Sequence, residues 1–77
     1  MGAPCYQVYS TTYVVPASSD SSMHTAVVEA PDGKVIVGVG YSNEPAGSWP
    51  NSDGTSWNFQ HVTIEEEVTL TAYLILL

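Results

Sequence analysis

The stretch Ala30-Pro31-Asp32-Gly33-Lys34-Val35-Ile36-Val37-Gly38-Val39-Gly40-Tyr41 carries the reading of the fold. Pro31 pre-sets φ for the second position of a tight turn, Asp32 tolerates the third, and Gly33 supplies the position where φ is positive. The residues that follow alternate. Val35, Val37, Val39 and Tyr41 point one way, and Ile36, Gly38 and Gly40 the other. One face is bulky and β-branched. The other is nearly bare, and its glycines let a neighbouring backbone or ring come close. The spacing predicts a hairpin leading into this glycine strand, with the strand over residues 68–77 as the neighbour that covers it.

Outward from this stretch, the 77 residues make one domain, with 1–5 as an N-terminal arm and 6–77 as a single β domain. A chain of this length buries only about 60% of its unfolded surface, so small domains add disulfides, a metal or oligomerisation. Cys5 is the one cysteine, which excludes an intrachain disulfide. Homo-oligomerisation, or docking on a larger partner, is the expected route to stability. Lys34 stands alone against eight carboxylates, and the net charge is -7. No Lys/Arg set is present to neutralise phosphates, so nucleic acid is not an expected partner, and an anionic membrane surface repels the chain. With 44% apolar residues, five tyrosines and two tryptophans, the composition calls for burial and not for disorder. Residues 1–5 lack the basic and apolar regions of a signal peptide, and the apolar run over 72–77 is far too short to span a bilayer. A soluble chain made in a cytoplasm is expected.

Strand-like alternation recurs along the chain. Over residues 6–15 both faces mix aromatic or β-branched residues with hydroxyls, which leaves the core side open. Residues 16–22 are a polar loop by composition. Ala26, Val28 and Ala30 then alternate with Thr25, Val27 and Glu29. Residues 42–56, with Pro45, Gly47, Pro50 and Gly54, read as the longest irregular stretch. Trp49 in its middle either plugs the loop onto the core or stands out as a contact residue. Trp57, Phe59 and His61 share one face of the next strand. Glu65-Glu66-Glu67 reads as a turn or an exposed strand edge. Over 68–77, Val68, Leu70, Ala72, Leu74 and Leu76 face one way, and Thr69, Thr71, Tyr73, Ile75 and Leu77 the other. A strand apolar on both faces is central in a sheet or covered by another chain. No window has helical spacing. The reading is all-β, a small antiparallel β-sandwich or barrel of about five strands.

Ala-Pro-x-Gly-Lys-x-x-x-Gly-x-Gly-Tyr-Ser, then a Trp, then Val-Thr-Leu-Thr-Ala-Tyr resembles a small β module found at the ends of phage tail and fibre proteins and of collagen-like proteins. The resemblance runs over residues 27–77 and rests on Pro31, Gly33, Lys34, Gly38, Gly40, Tyr41, Ser42, Trp57, Val68, Thr69, Thr71, Ala72 and Tyr73. It implies virion structure or a trimeric tip, with localisation in a virion assembled in a host cytoplasm. The family pattern has a cysteine where Ala30 stands, a glycine at Val39, and a closing cysteine within residues 74–77, so its disulfide is missing here. That fits assembly in a reducing compartment, with burial in a larger particle replacing the crosslink.

Candidate sites are few. Asn51-Ser52-Asp53-Gly54-Thr55 has oxygen atoms spaced like the start of a calcium loop, but Val62 stands where the closing acidic ligand belongs, and an Asp-Gly turn accounts for the same residues. His24, His61 and Cys5 are too few and too scattered for zinc. No pairing of a nucleophile with a base suggests an enzyme. No cofactor or metal is expected. Pro31, Gly33, Gly38 and Gly40 are expected to set the turn and the close-packing strand. Tyr73, Leu74, Ile75, Leu76, Leu77 and Trp49 are the expected interface, reached by homo-oligomerisation, with a trimer favoured, or by other virion proteins such as the major capsid protein. The functional expectation is a capsid decoration or cement protein or a minor tail component. The alternative is a lectin-like module using Trp49 and Trp57.

Overall fold

The computed structural model describes residues 6–77, and the arm over 1–5, with Cys5, lies outside them. Six strands follow in order: β1 (Gln7–Val15), β2 (Met23–Glu29), β3 (Ile36–Tyr41), β4 (Gly47–Pro50), β5 (Ser56–Val62) and β6 (Val68–Leu76). They form two antiparallel three-stranded sheets, β1-β6-β3 and β2-β5-β4. The fold is all-β, a small β-sandwich, and no α-helix occurs among the described residues. The sixth strand is β4, inside the stretch read as irregular. It is short, begins at a glycine and ends at a proline, and sits at a sheet edge, where a missing N–H can be tolerated.

The Pro31-Asp32-Gly33 turn forms, with φ positive at both Asp32 (54°) and Gly33 (65°) and the Lys34 N–H donating to the Pro31 carbonyl at 3.1 Å. It does not close a hairpin. β2 pairs with β5 and β3 pairs with β6, so the turn arches from one sheet to the other. Turn chemistry is local and does not choose the strand that pairs. Among the described residues, the one hairpin between consecutive strands joins β4 to β5 around Asp53-Gly54. There Gly54 has φ +73° and the Thr55 N–H donates to Asp53 Oδ1 at 3.0 Å. Arch and hairpin are stitched together, since Ala30 N–H donates to the Thr55 carbonyl and Ile36 N–H to the Gly54 carbonyl, each at 2.8 Å.

The glycine strand does lie against 68–77, as its composition predicts, but its alternation breaks. Ile36 pairs with Leu76 and Gly38 with Ile75, so an extra residue is inserted at a β-bulge. Ile36 is therefore buried, and Val39 packs on the core although it lies three residues on, while Val37 is exposed. The two-residue period put Ile36 with the glycines; the bulge separates them.

β6 is the central strand of its sheet, and its alternation decides the core. Leu70, Ala72, Leu74 and Leu76 are buried against Phe59, Ala26 and Val28 of the other sheet. Tyr13 of β1 stacks on Phe59 across the sandwich, with ring centroids 5.2 Å apart and planes inclined by 14°. Phe59, Leu74 and Leu76 are fully buried, each contributing about 1.5–3 kcal/mol. β1 resolves the same way, with Tyr13 and Val15 inward and Val8 and Val14 exposed.

Candidate functional site

The side chains expected to form an interface divide between two environments. Leu74 and Leu76 have no exposed surface. They belong to the chain's own core and cannot meet a partner, which corrects the reading of 73–77 as one contact strip. Tyr73, Ile75 and Leu77 stand apart from that core. Tyr73 is 42% exposed, Leu77 59%, and Ile75 is half-buried. On the outer face of the β1-β6-β3 sheet Ile75 lies between Val8 and Gly38, and Tyr73 between Ser10 and Gly40. A Cβ built on Gly38 would meet Ile75 Cδ1 at 3.4 Å, and one on Gly40 would meet Tyr73 Cβ at 3.7 Å. The bare glycine positions are therefore filled by the β6 side chains that lean over them. Thr71 and Thr69 continue the face opposite Thr12 and Val14.

This face carries no charge. β1, β3 and β6 contain no Asp, Glu, Lys or Arg. Seven of the eight carboxylates lie in the connections between strands: Asp20, Asp32, Glu44, Asp53, Glu65, Glu66 and Glu67. Glu29 ends β2, and Lys34 follows the arch. The charges thus sit at the two ends of the sandwich.

The outer face of the other sheet is different. Trp49 is paired with Asn58 in β5 and is 42% exposed, so it is not a plug in the core. Its ring lies along its own strand, because a Cβ on Gly47 would touch Trp49 Cζ3 at 3.6 Å. Asn58 Nδ2 donates to the Trp49 carbonyl (3.2 Å) and to Asn51 Oδ1 (2.9 Å), and Asn51 Nδ2 donates to Ser56 Oγ (2.7 Å). Those bonds engage the Asn51 side chain with the sheet, and the 51–55 stretch is built as a hairpin turn. Trp57 sits one register position on, paired with Val28 and Pro50 and half-buried against the core. The two tryptophans therefore face opposite ways and do not make one platform. The sequence signal for Trp49 was a short Gly-Ser-Trp-Pro run, too brief for periodicity to show a strand.

A cleft of about 240 Å³ opens at the end of the sandwich, lined by Val15, Asn43, Glu44, His61, Val62, Ile64, Val68 and Leu70. The Tyr13 hydroxyl is hydrogen-bonded to His61 Nε2 at 2.6 Å. Burial pulls the His61 pKa down, helped by His24, its cross-strand partner, and burial pushes Tyr13 up. Both groups are thus held neutral near pH 7. The ionisable groups of the lining are the His61 imidazole and the Glu44 carboxylate, in an otherwise mostly apolar wall. Among the described residues no three His, Cys, Asp or Glu side chains come together as metal ligands.

The fold and its surfaces define a small β-sandwich with one uncharged outer face and one tryptophan-bearing outer face. No family model matches the chain, and neither a curated protein nor a solved structure matches it.

Proposed function

We propose that this chain is a structural protein of a phage virion, a capsid decoration or minor tail component that acts by protein–protein binding. The observation that carries the reading is the outer face of the β1-β6-β3 sheet. There Val8, Tyr73 and Ile75, with Leu77 beyond, present apolar surface that a stable monomer of this size gains nothing by exposing. The resemblance of residues 27–77 to phage tail and fibre modules supplies the virion context, and the trimer belongs to that resemblance. The acidic ends keep the module soluble at high copy number and turn away nucleic acid. The test is incorporation. Particles released from the source host are banded on a density gradient and their proteins identified by mass spectrometry. The chain is expected in the particle band at a fixed ratio to the major capsid or tail protein, and its absence from washed particles overturns the reading.

Trp49 supports a second reading. Its exposed ring, beside Gln60 and Gly47 on the β2-β5-β4 sheet, suits stacking on a sugar ring with amides nearby for hydroxyls. A glycan array separates the two readings. A hit that disappears with Trp49→Ala supports a lectin, and a blank array removes it.

A further inference from the structure

We infer that the outer face of the β1-β6-β3 sheet is covered by a second copy of this chain. The inference rests on the reading of the protein as a binding module and names the occupant of its apolar face.

Charge placement selects that occupant. Two copies each carrying -7 repel wherever carboxylates meet, and they can approach closely only where none is present. The three strands of this sheet hold no ionisable acid or base of that kind, whereas the ends of the sandwich hold almost all of them. A basic partner would be drawn to the ends and would find no carboxylate on this face. A copy of the same chain finds apolar and hydroxyl groups like its own.

Composition and shape agree. β6 is apolar on both faces, the pattern of a strand covered on two sides, and one of its sides is covered within the chain. Ile75 and Tyr73 lean over Gly38 and Gly40, which levels the surface for sheet-on-sheet packing. Nine-residue β1 and β6 with six-residue β3 give a face of at most roughly 30 by 14 Å, about half of the ~800 Å² that each partner buries in a standard interface. The association is therefore reversible and depends on concentration.

The experiment is sedimentation velocity or light scattering over a wide concentration range at low and high salt, with circular dichroism to confirm folding. The mass of the parent chain rises from one chain to two. Added salt strengthens the association, because it screens repulsion between the acidic ends and there is no ion pair to weaken. Ser10→Glu places a charge beside Tyr73 on an exposed position and weakens association by about tenfold or more, the effect of burying an unpaired charge. Trp49→Ala, on the opposite face, leaves it unchanged. A parent chain that stays monomeric throughout overturns the inference. So does a Ser10→Glu variant that assembles like the parent, a loss of assembly in Trp49→Ala, or an assembly that salt dissolves. These failures leave incorporation into particles untouched. A chain that self-associates by this face yet is missing from particles overturns the virion reading alone.

Discussion

The indole N–H of Trp57 is buried and has no hydrogen-bond partner among the described residues. An orphaned donor costs about 1–3 kcal/mol of desolvation, which offsets much of what the ring gains by packing. Trp57→Phe removes the donor and keeps a ring, so its unfolding free energy from urea titration is expected within about 1 kcal/mol of the parent. Phe59→Ala, one register step inward on the same strand, loses about 3–5 kcal/mol, because Phe59 has no exposed surface and stacks on Tyr13. Equal losses in the two variants would contradict this account. His61 sets a pH dependence of definite sign. Its folded pKa lies below the ordinary 6.5 through burial and then His24. Above that value both folded and unfolded chains hold a neutral imidazole. Below it the unfolded chain takes up the proton first, so stability falls until the pH passes the lower folded value. Denaturation midpoints are expected to drop between pH 7 and pH 5, and less so in His61→Gln. The carboxylates act in a separate window. Asp20, held low by the Ser18 and Ser22 side chains, and Asp53, held low by Thr55, lose those contacts only as pH falls through and below about 3.8. That Trp57 and Phe59 both pack on the core is consistent with the shared face the sequence shows, with Phe59 buried deeper. Their hydrogen bonding was not legible there, since a missing partner depends on what lies across the sandwich.

At the scale of the element, β3 shows where reading by period stops. Its residue types mark a strand and its glycines mark a close neighbour, and both readings hold. The bulge between Ile36 and Gly38 does not show in the letters, because an extra residue changes register without changing composition. The arch is a similar case. Pro31-Asp32-Gly33 fits a tight turn in either connection, and the choice of partner is made by the long apolar faces of β5 and β6, distant in sequence. A graded prediction follows from the two glycine positions. A Cβ at Gly40 has room at 3.7 Å, so Gly40→Ala is expected to be close to neutral. The branches of a valine at Gly38 run into Ile75, already 3.4 Å from the first carbon, so Gly38→Val is expected to lose about 1–3 kcal/mol. Thermal melts of the two variants check the order, and a Gly40→Ala loss larger than that of Gly38→Val would contradict the packing described.

At the scale of the whole molecule, the fold class was legible because alternation survives in most strands and nothing in the chain competes for a helix. The surfaces were only half legible. Alternation in β6 splits Tyr73 and Ile75 from Leu74 and Leu76, yet a run of apolar letters reads as one strip until a second sheet claims one side of it. Trp49 was legible as a residue of interest, and its face was set by the pairing of β4 with Asn58 in β5. One consequence of the β1-β6-β3 order concerns time. β1 and β3 touch no sheet partner except β6, which is synthesised after all five other strands. Pairs such as Gln7 with Leu76 close nearly the longest loop the described chain allows. A nascent chain halted before residue 68 therefore has half of its sandwich with no centre to add to. Such a chain is expected to be digested by protease on the ribosome, while emergence of β6 brings protection in one cooperative step on the millisecond-to-second scale of non-local β folds. Until β6 has been made, the apolar strands of this sheet are unprotected, and their quality control falls to the chaperones of the cell that makes them.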